Sequence, residues 1–136
     1  MNEEQIALAR RAVACRGFRW MPGMHTANEE RVIGVMRDGV LHLCAPLDAV
    51  LESVSITRVF FDSSGSCLPD LTDPATLGCL LALVREAWGA PYAQVSPIIW
   101  DDGRGGWVFY VNDVDDREFH DDTEAEALVA ALEAAP

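Results

Sequence analysis

Residues 72–89, TDPATLGCLLALVREAWG, carry the strongest structural signal in the sequence. Thr72 and Asp73 offer side-chain oxygens that cap a helix, and Pro74 suits a first helical turn, where a backbone N–H lacks a partner in any case. Gly89 is suited to end the helix. Between them, large apolar side chains recur at the spacing of one helical stripe: Leu77, Leu80, Leu81, Val84 and Trp88. The pattern predicts a helix over 74–88, buried on more than one side, at the centre of packing.

The sequence before this helix predicts a helix, a turn and three strands. Asn2 and Gln5 have the spacing of a capping box, and apolar residues follow at helical intervals. Asp38-Gly39 lies between two β-forming runs and favours a two-residue hairpin turn. The predicted elements are a helix over 3–15, a turn over 17–24, a hairpin over 31–44, a short helical turn over 48–54 and a strand over 55–62.

The sequence after it predicts a hairpin, a short strand and a closing helix. The glycine-rich loop 101–106 separates β-forming runs at 92–100 and 107–111, and 118–120 adds a third strand. Thr123 and Glu126 form a second capping box. The predicted fold class is α+β, a single domain over 1–136 with helices packed on a small antiparallel sheet. The one candidate boundary divides it into 1–62 and 68–135.

Composition excludes several classes of protein. The chain has 136 residues, of which 50% are hydrophobic, too many for a disordered chain. It contains no apolar run near the ~20 residues that a membrane helix needs. The beginning MNEEQIALARR lacks the apolar core of a signal peptide, so we expect a soluble protein of the cytoplasm. Cys15, Cys44, Cys67 and Cys79 show no CxxC spacing, and we expect reduced, mostly buried thiols.

The charge is strongly negative. The chain has 22 Asp and Glu against 10 basic residues, all of them arginine, which gives a formal net charge of −12. Such a chain repels phosphate backbones, so we expect no direct binding to nucleic acid.

Eight carboxylates concentrate between residues 113 and 126, and three interpretations are open. They can be a solvated sheet edge that leads into a helix N-terminus, where acids are favoured. They can be a calcium loop, although the regular spacing of such loops is missing. They can also form a surface that imitates nucleic acid and occupies a basic groove on a partner. The residues are Asp113, Asp115, Asp116, Glu118, Asp121, Asp122, Glu124 and Glu126.

No pattern predicts a catalytic or metal site. His42 and Cys44 share a face of a predicted strand, and Cys15, His25 and Cys67 are further candidate ligands, but zinc-ligand spacing is absent. There is no G-x-S-x-G motif, and the glycine-rich run 103–106 has no following helix to bind phosphate. We therefore predict no catalytic residue, no cofactor and no metal.

The aromatic segment around residues 18–24 has two interpretations. Phe18, Trp20 and Met24 are residue types that are enriched at binding hot spots. Aromatic residues beside a Pro-Gly turn can equally form a lid over one end of the core.

The C-terminal half resembles a known type of phage protein. The stretch LPDLTDPATLGCLLALVREAWG (68–89), a tryptophan-containing hairpin and TEAEAL (123–128) are similar to uncharacterised phage and prophage proteins of the phage ABA-sandwich type. The segment WMPGM (20–24) is also similar to such proteins, and the resemblance covers about 68–135. It implies two helices packed across a small antiparallel sheet and a phage context. It implies no activity, because the motif is a packing signature.

These observations predict a non-enzymatic phage or prophage accessory protein that binds a host macromolecule in the host cytoplasm. The most specific form is an anti-CRISPR-like inhibitor of a host defence complex, whose partner is a host protein or ribonucleoprotein with a basic surface. The expected contact residues are Asp113, Asp115, Asp116, Glu118, Asp121 and Asp122, together with Phe18, Trp20 and Met24. The alternatives are a small metal- or ligand-binding module or enzyme, and a virion assembly protein.

Overall fold

A computed structural model describes residues 1–35, 40–44, 57–61, 67–111 and 117–136. These residues form three helices: α1 (Glu3–Ala14), α2 (Pro74–Trp88) and α3 (Glu124–Glu133). They also form six strands: β1 (Arg31–Val35), β2 (Val40–Cys44), β3 (Thr57–Phe61), β4 (Gln94–Ile99), β5 (Gly105–Tyr110) and β6 (Glu118–Asp121). The predicted α+β class, with helices packed on a small antiparallel sheet, is confirmed.

Local signals set the ends of α2. The Thr76 backbone N–H donates to Asp73 Oδ2 at 2.7 Å, which caps the first turn, and Pro74 begins the helix. Gly89 ends it with φ 59°, a left-handed conformation that glycine adopts without strain. The helix therefore has the predicted bounds.

The buried surface of α2 differs from the predicted stripe. Leu80 and Val84 are fully buried, but Leu81 is only partly buried, and Leu83 is 1% exposed. The reason is a second apolar cluster, which packs on the Leu83 side of the helix. This second cluster makes the helix buried on two sides, as the scarcity of polar residues in α2 indicates.

Both predicted capping boxes are present. At α1, the Gln5 backbone N–H donates to Asn2 Oδ1 at 2.8 Å, and the Asn2 N–H donates to Gln5 Oε1 at 2.9 Å. At α3, the Glu126 N–H donates to Thr123 Oγ1 and the Thr123 N–H donates to Glu126 Oε2. Each pair satisfies two backbone donors that the helix itself leaves without a partner.

The strands form two antiparallel sheets, with strand orders β1-β2-β3 and β4-β5-β6. In the first sheet, Val32 pairs with Leu43 and Gly34 with His42, so the register shifts at Ile33. The predicted Asp38-Gly39 turn and the helical turn over 48–54 lie outside the described residues. In the second sheet, β4 is an edge strand, which accommodates Pro97 because an edge strand can lack one backbone donor.

Two apolar clusters form the core. The first cluster joins α1, α2, α3 and β5, and small side chains such as Ala9 and Ala12 let α1 approach closely. The second cluster contains Trp20, Met24, Val32, Cys67 and Leu83. The clusters meet at α2, which contributes to both. Among the described residues, no helix combines the length and the apolar character that crossing a membrane requires.

Candidate binding surface

Among the described residues, only one face of the β4-β5-β6 sheet packs on the helices. Val95, Phe109 and Phe119 face the first cluster, and α3 contacts all three strands. Because side chains alternate along a strand, the residues between them project to the opposite side. We call this opposite side the open face. It comprises Gln94, Ser96 and Ile98 of β4, Gly106, Val108 and Tyr110 of β5, and Glu118 and His120 of β6.

Trp100 folds back over one end of the open face. The Trp100 backbone N–H donates to Arg104 O at 2.8 Å, which closes the turn between β4 and β5. The indole ring then lies on Gly106, where an added Cβ would be 2.8 Å from Cε2 and 2.9 Å from Cζ2 of the ring. A Cβ at position 106 would therefore displace the ring.

The Trp100 ring continues into a small aromatic layer. It stacks on His120 with ring centroids 5.1 Å apart. Val108 lies opposite His120 in the register and is only 1% exposed, although it points away from the helices. Trp100 and His120 therefore shield it, and the layer gives this end of the open face a fixed shape.

Three exposed side chains form a row across the other end of the open face. Gln94 pairs in register with Tyr110, and Tyr110 pairs with Glu118. Tyr110 is 41% exposed, and Gln94 and Glu118 are also exposed. Glu118 Oε2 accepts a hydrogen bond from His120 Nε2 at 2.7 Å, which connects the row to the aromatic layer.

The predicted acidic residues do not all lie in one place. Glu118 is on the open face and Asp122 is exposed just beyond β6. Asp121 is partly buried, and its charge helps to raise the pKa of Arg11. Asp113, Asp115 and Asp116 lie outside the described residues.

The remaining two acids of that run belong to a helix end. Glu124 and Glu126 occupy the first turn of α3, and the Glu126 carboxylate closes the capping box. For these two residues the structure supports the interpretation as acids that stabilise a helix N-terminus.

Two of the three predicted contact residues in the aromatic segment are buried. Trp20 is 8% exposed and Met24 is fully buried, while Phe18 is partly buried and packs edge-to-face on Trp20. The Gly23 N–H donates to Val32 O at 2.7 Å and the Val32 N–H donates to Met24 O, which fixes the segment along β1. Of its two interpretations, the structure therefore corresponds to the lid, and the assignment of Trp20 and Met24 to a contact surface is corrected.

A second candidate is a cleft of about 780 Å³ lined by Arg11, Arg16 and Arg19. Arg11 forms two hydrogen bonds with Glu133, at 2.9 and 2.7 Å, and Arg19 pairs with Glu86 at 2.7 Å. These contacts lower the pKa of both glutamates, and the hydrogen bond with Glu133 raises the pKa of Arg11. This cleft was not predicted from the sequence. The one signal for it in the sequence is that four of the ten arginines lie in residues 10–19.

The electrostatics of the cleft explain its arginines without a ligand. The C-terminal parts of all three helices line the cleft, and residues from their N-terminal ends line a separate cavity of about 350 Å³. The three helices therefore run in the same general direction. Each helix C-terminus acts as about half a negative charge. Three such ends contribute roughly −1.5, against a formal +1 from three arginines and two glutamates. The arginines thus offset the helix dipoles and leave no excess positive charge for an anion.

The described histidine and cysteine side chains do not form a reactive group. His25 Nδ1 lies 3.6 Å from Asp73 Oδ1, and Arg31 Nε donates to His25 Nε2 at 3.2 Å, so both ring nitrogens face neighbours. Burial raises the pKa of the Cys15 and Cys79 thiols, which disfavours the nucleophilic thiolate.

Within the part of the chain that the structure describes, no three His, Cys, Asp or Glu side chains are grouped to hold a metal. The side chains of His42 and Cys44 lie outside that part.

Glu118 was predicted from the sequence as a contact residue, but Gln94, Tyr110 and Trp100 were not predicted as surface residues. The sequence shows tryptophans on both sides of the loop 101–106, but which residues of the hairpin share a face depends on the register of its strands.

Comparisons with protein-family models, with curated proteins and with solved structures found no significant match.

Proposed function

We propose that this chain is a non-enzymatic binding protein that recognises a basic macromolecule through the open face and the acids around it. The observation that carries the proposal is the open face itself, where Glu118 and Tyr110 stand exposed on strands whose opposite face is packed against the helices. A rigid sheet that presents acidic and aromatic groups is suited to binding a cationic surface.

The distribution of charge supports the same partner. Residues 101–136 carry 11 acids and two arginines, a net −9 of the total −12. The acids of α3 offset a helix dipole, but Glu118 on the sheet and Asp122 beyond it are outside the helix. A negative field of this kind speeds encounter with a basic partner and weakens as salt rises.

The finer proposal is an anti-CRISPR-like inhibitor from a phage or prophage. It is supported by the resemblance of residues 68–135 to phage proteins and by the acidic charge, which suits a groove that normally holds nucleic acid. The inhibitor would occupy such a groove on a host ribonucleoprotein and exclude the nucleic acid.

The test compares two double variants with equal change of charge. Glu118→Gln/Asp122→Asn removes one acid on the open face and one just beyond it, and Glu3→Gln/Glu29→Gln removes exposed acids elsewhere. Inhibition of DNA cleavage by purified CRISPR effector complexes is measured at low and physiological salt. We expect the first variant to inhibit less well, with the larger loss at low salt, and the second to behave as the unmodified protein.

Two results would contradict the proposal at its two levels. Absence of inhibition by the unmodified protein overturns the anti-CRISPR form. Equal inhibition of the effectors by both double variants overturns the assignment of binding to the open face.

A further inference from the structure

We propose that Gln94, Tyr110 and Glu118 form a subsite for the guanidinium group of an arginine side chain on the partner. The inference rests on the proposed function and deepens it, because it names the chemical group that the open face recognises.

The register places the three side chains in one line across the sheet. Tyr110 lies on the central strand, with Gln94 opposite it on β4 and Glu118 opposite it on β6. Directly paired residues have Cβ atoms about 5 Å apart, so the two flanking residues are about 10 Å from each other. An aromatic ring therefore has an oxygen acceptor on each side.

This arrangement fits the hydrogen-bonding pattern of a guanidinium. Its planar group stacks on an aromatic face and carries five N–H donors at its edge. Above Tyr110, one edge is directed to the Glu118 carboxylate and the other to the Gln94 amide oxygen. The compact ammonium of lysine cannot donate in both directions from a stacked position, so the subsite favours arginine.

The same chemistry occurs inside this protein. The guanidinium carbon of Arg117 lies 5.4 Å from the ring centroid of Trp88, a cation–π contact. Arg117 directly precedes Glu118, but its ring partner is on α2, on the packed side of the sheet. On the packed side, the ring of Trp88 is thus already contacted by an arginine of this chain. On the open face, Tyr110 is 41% exposed.

The Trp100–His120 layer fixes one wall of the subsite. His120 donates to Glu118 and is itself stacked on Trp100, so the carboxylate is held in place before a ligand arrives. Less side-chain freedom is then lost on binding, which favours affinity.

The experiment uses fluorescently labelled hexa-arginine and hexa-lysine peptides at low and physiological salt, with affinity measured by anisotropy. The variants are Tyr110→Leu and Glu118→Gln. Their matched controls are Tyr92→Leu, at a tyrosine that is 91% exposed in the loop after α2, and Glu29→Gln. We expect hexa-arginine to bind more tightly than hexa-lysine. Tyr110→Leu should weaken hexa-arginine binding about two- to fivefold, the range for an exposed cation–π contact. It should also reduce the difference in affinity between hexa-arginine and hexa-lysine.

The outcomes separate this inference from the proposed function. If both peptides bind but Tyr110→Leu behaves as Tyr92→Leu does, the subsite is wrong and the acidic surface stands. If neither peptide binds at low salt, the proposed function is wrong as well. Amide NMR shifts of the unmodified protein give a reading that does not depend on variant folding: hexa-arginine should shift residues 94, 110 and 118, and shifts confined to other residues overturn the subsite.

Discussion

Truncation of two adjacent leucines in α2 would show which side of the helix is buried. Leu80 is fully buried in the first cluster, whereas Leu81 packs at its edge and is partly exposed. Leu80→Ala and Leu81→Ala remove the same atoms from the same helix and leave the same residue behind. Helix propensity is therefore equal in the two variants, and the difference between them measures burial.

The expected magnitude follows from the burial of each side chain. Loss of three buried carbon groups costs about 2.4 kcal/mol at roughly 0.8 kcal/mol each. At Leu80 the cavity that remains adds to this, giving about 3–4 kcal/mol. At Leu81 part of the side chain already meets water and solvent can fill the space, so we expect about 1 kcal/mol.

Urea unfolding followed by circular dichroism measures both values as free energies of unfolding. The slope with urea concentration should be equal in the two variants, because the surface exposed on unfolding is nearly unchanged. A cost at Leu81 equal to or greater than that at Leu80 would refute the partial exposure of Leu81 and restore the stripe predicted from the sequence.

Two further predictions concern single contacts. Gly106→Ala should displace the Trp100 ring and lower the free energy of unfolding by about 1–3 kcal/mol. The control Gly105→Ala, whose added Cβ meets no atom within 4 Å, should lower it less. Urea unfolding measures the two free energies and the indole N–H signal of Trp100 reports the ring position; equal free-energy losses would contradict the close approach. Because the folded-state pKa of Glu133 is lowered by Arg11, this pair contributes stability above the unfolded carboxyl pKa and loses it as pH falls through the folded value. Arg11→Ala should therefore lower the free energy of unfolding by about 0.5 kcal/mol at neutral pH. In acid, the free energies of unfolding of the variant and the unmodified protein, measured by urea unfolding, should become equal. A difference that stays constant down to acid pH would contradict the role of the pair.

Elements whose signals are local were predictable from the sequence. The start and the end of α2 follow from Asp73, Pro74 and Gly89, and the starts of α1 and α3 follow from the two capping boxes. Each of these signals acts within one helical turn, so distant parts of the chain do not alter it.

The orientation of side chains between elements was less predictable. The burial of Leu83 depends on Trp20 and Met24, which lie about sixty residues earlier in the sequence. The row on the open face depends on the registers of two hairpins, and a shift of one residue in either would turn its partner to the other side of the sheet. Periodicity within one element carries no information about either arrangement.

The common direction of the three helices decides which acids are available to a partner. Their N-terminal ends line one cavity, with Glu4, Glu124 and Glu126 at its wall, and their C-terminal ends line the cleft with the arginines. Because the helix dipoles point the same way, their fields add at each end. The glutamates at one end and the arginines at the other therefore stabilise the fold, and a partner that bound them would remove part of that stabilisation. Glu118 lies outside this pattern, since it stands on an edge strand and is paired with a histidine. If the acidic run binds a partner, Glu118 rather than the helix acids should therefore control affinity, and substitution of Glu124 should change stability more than binding.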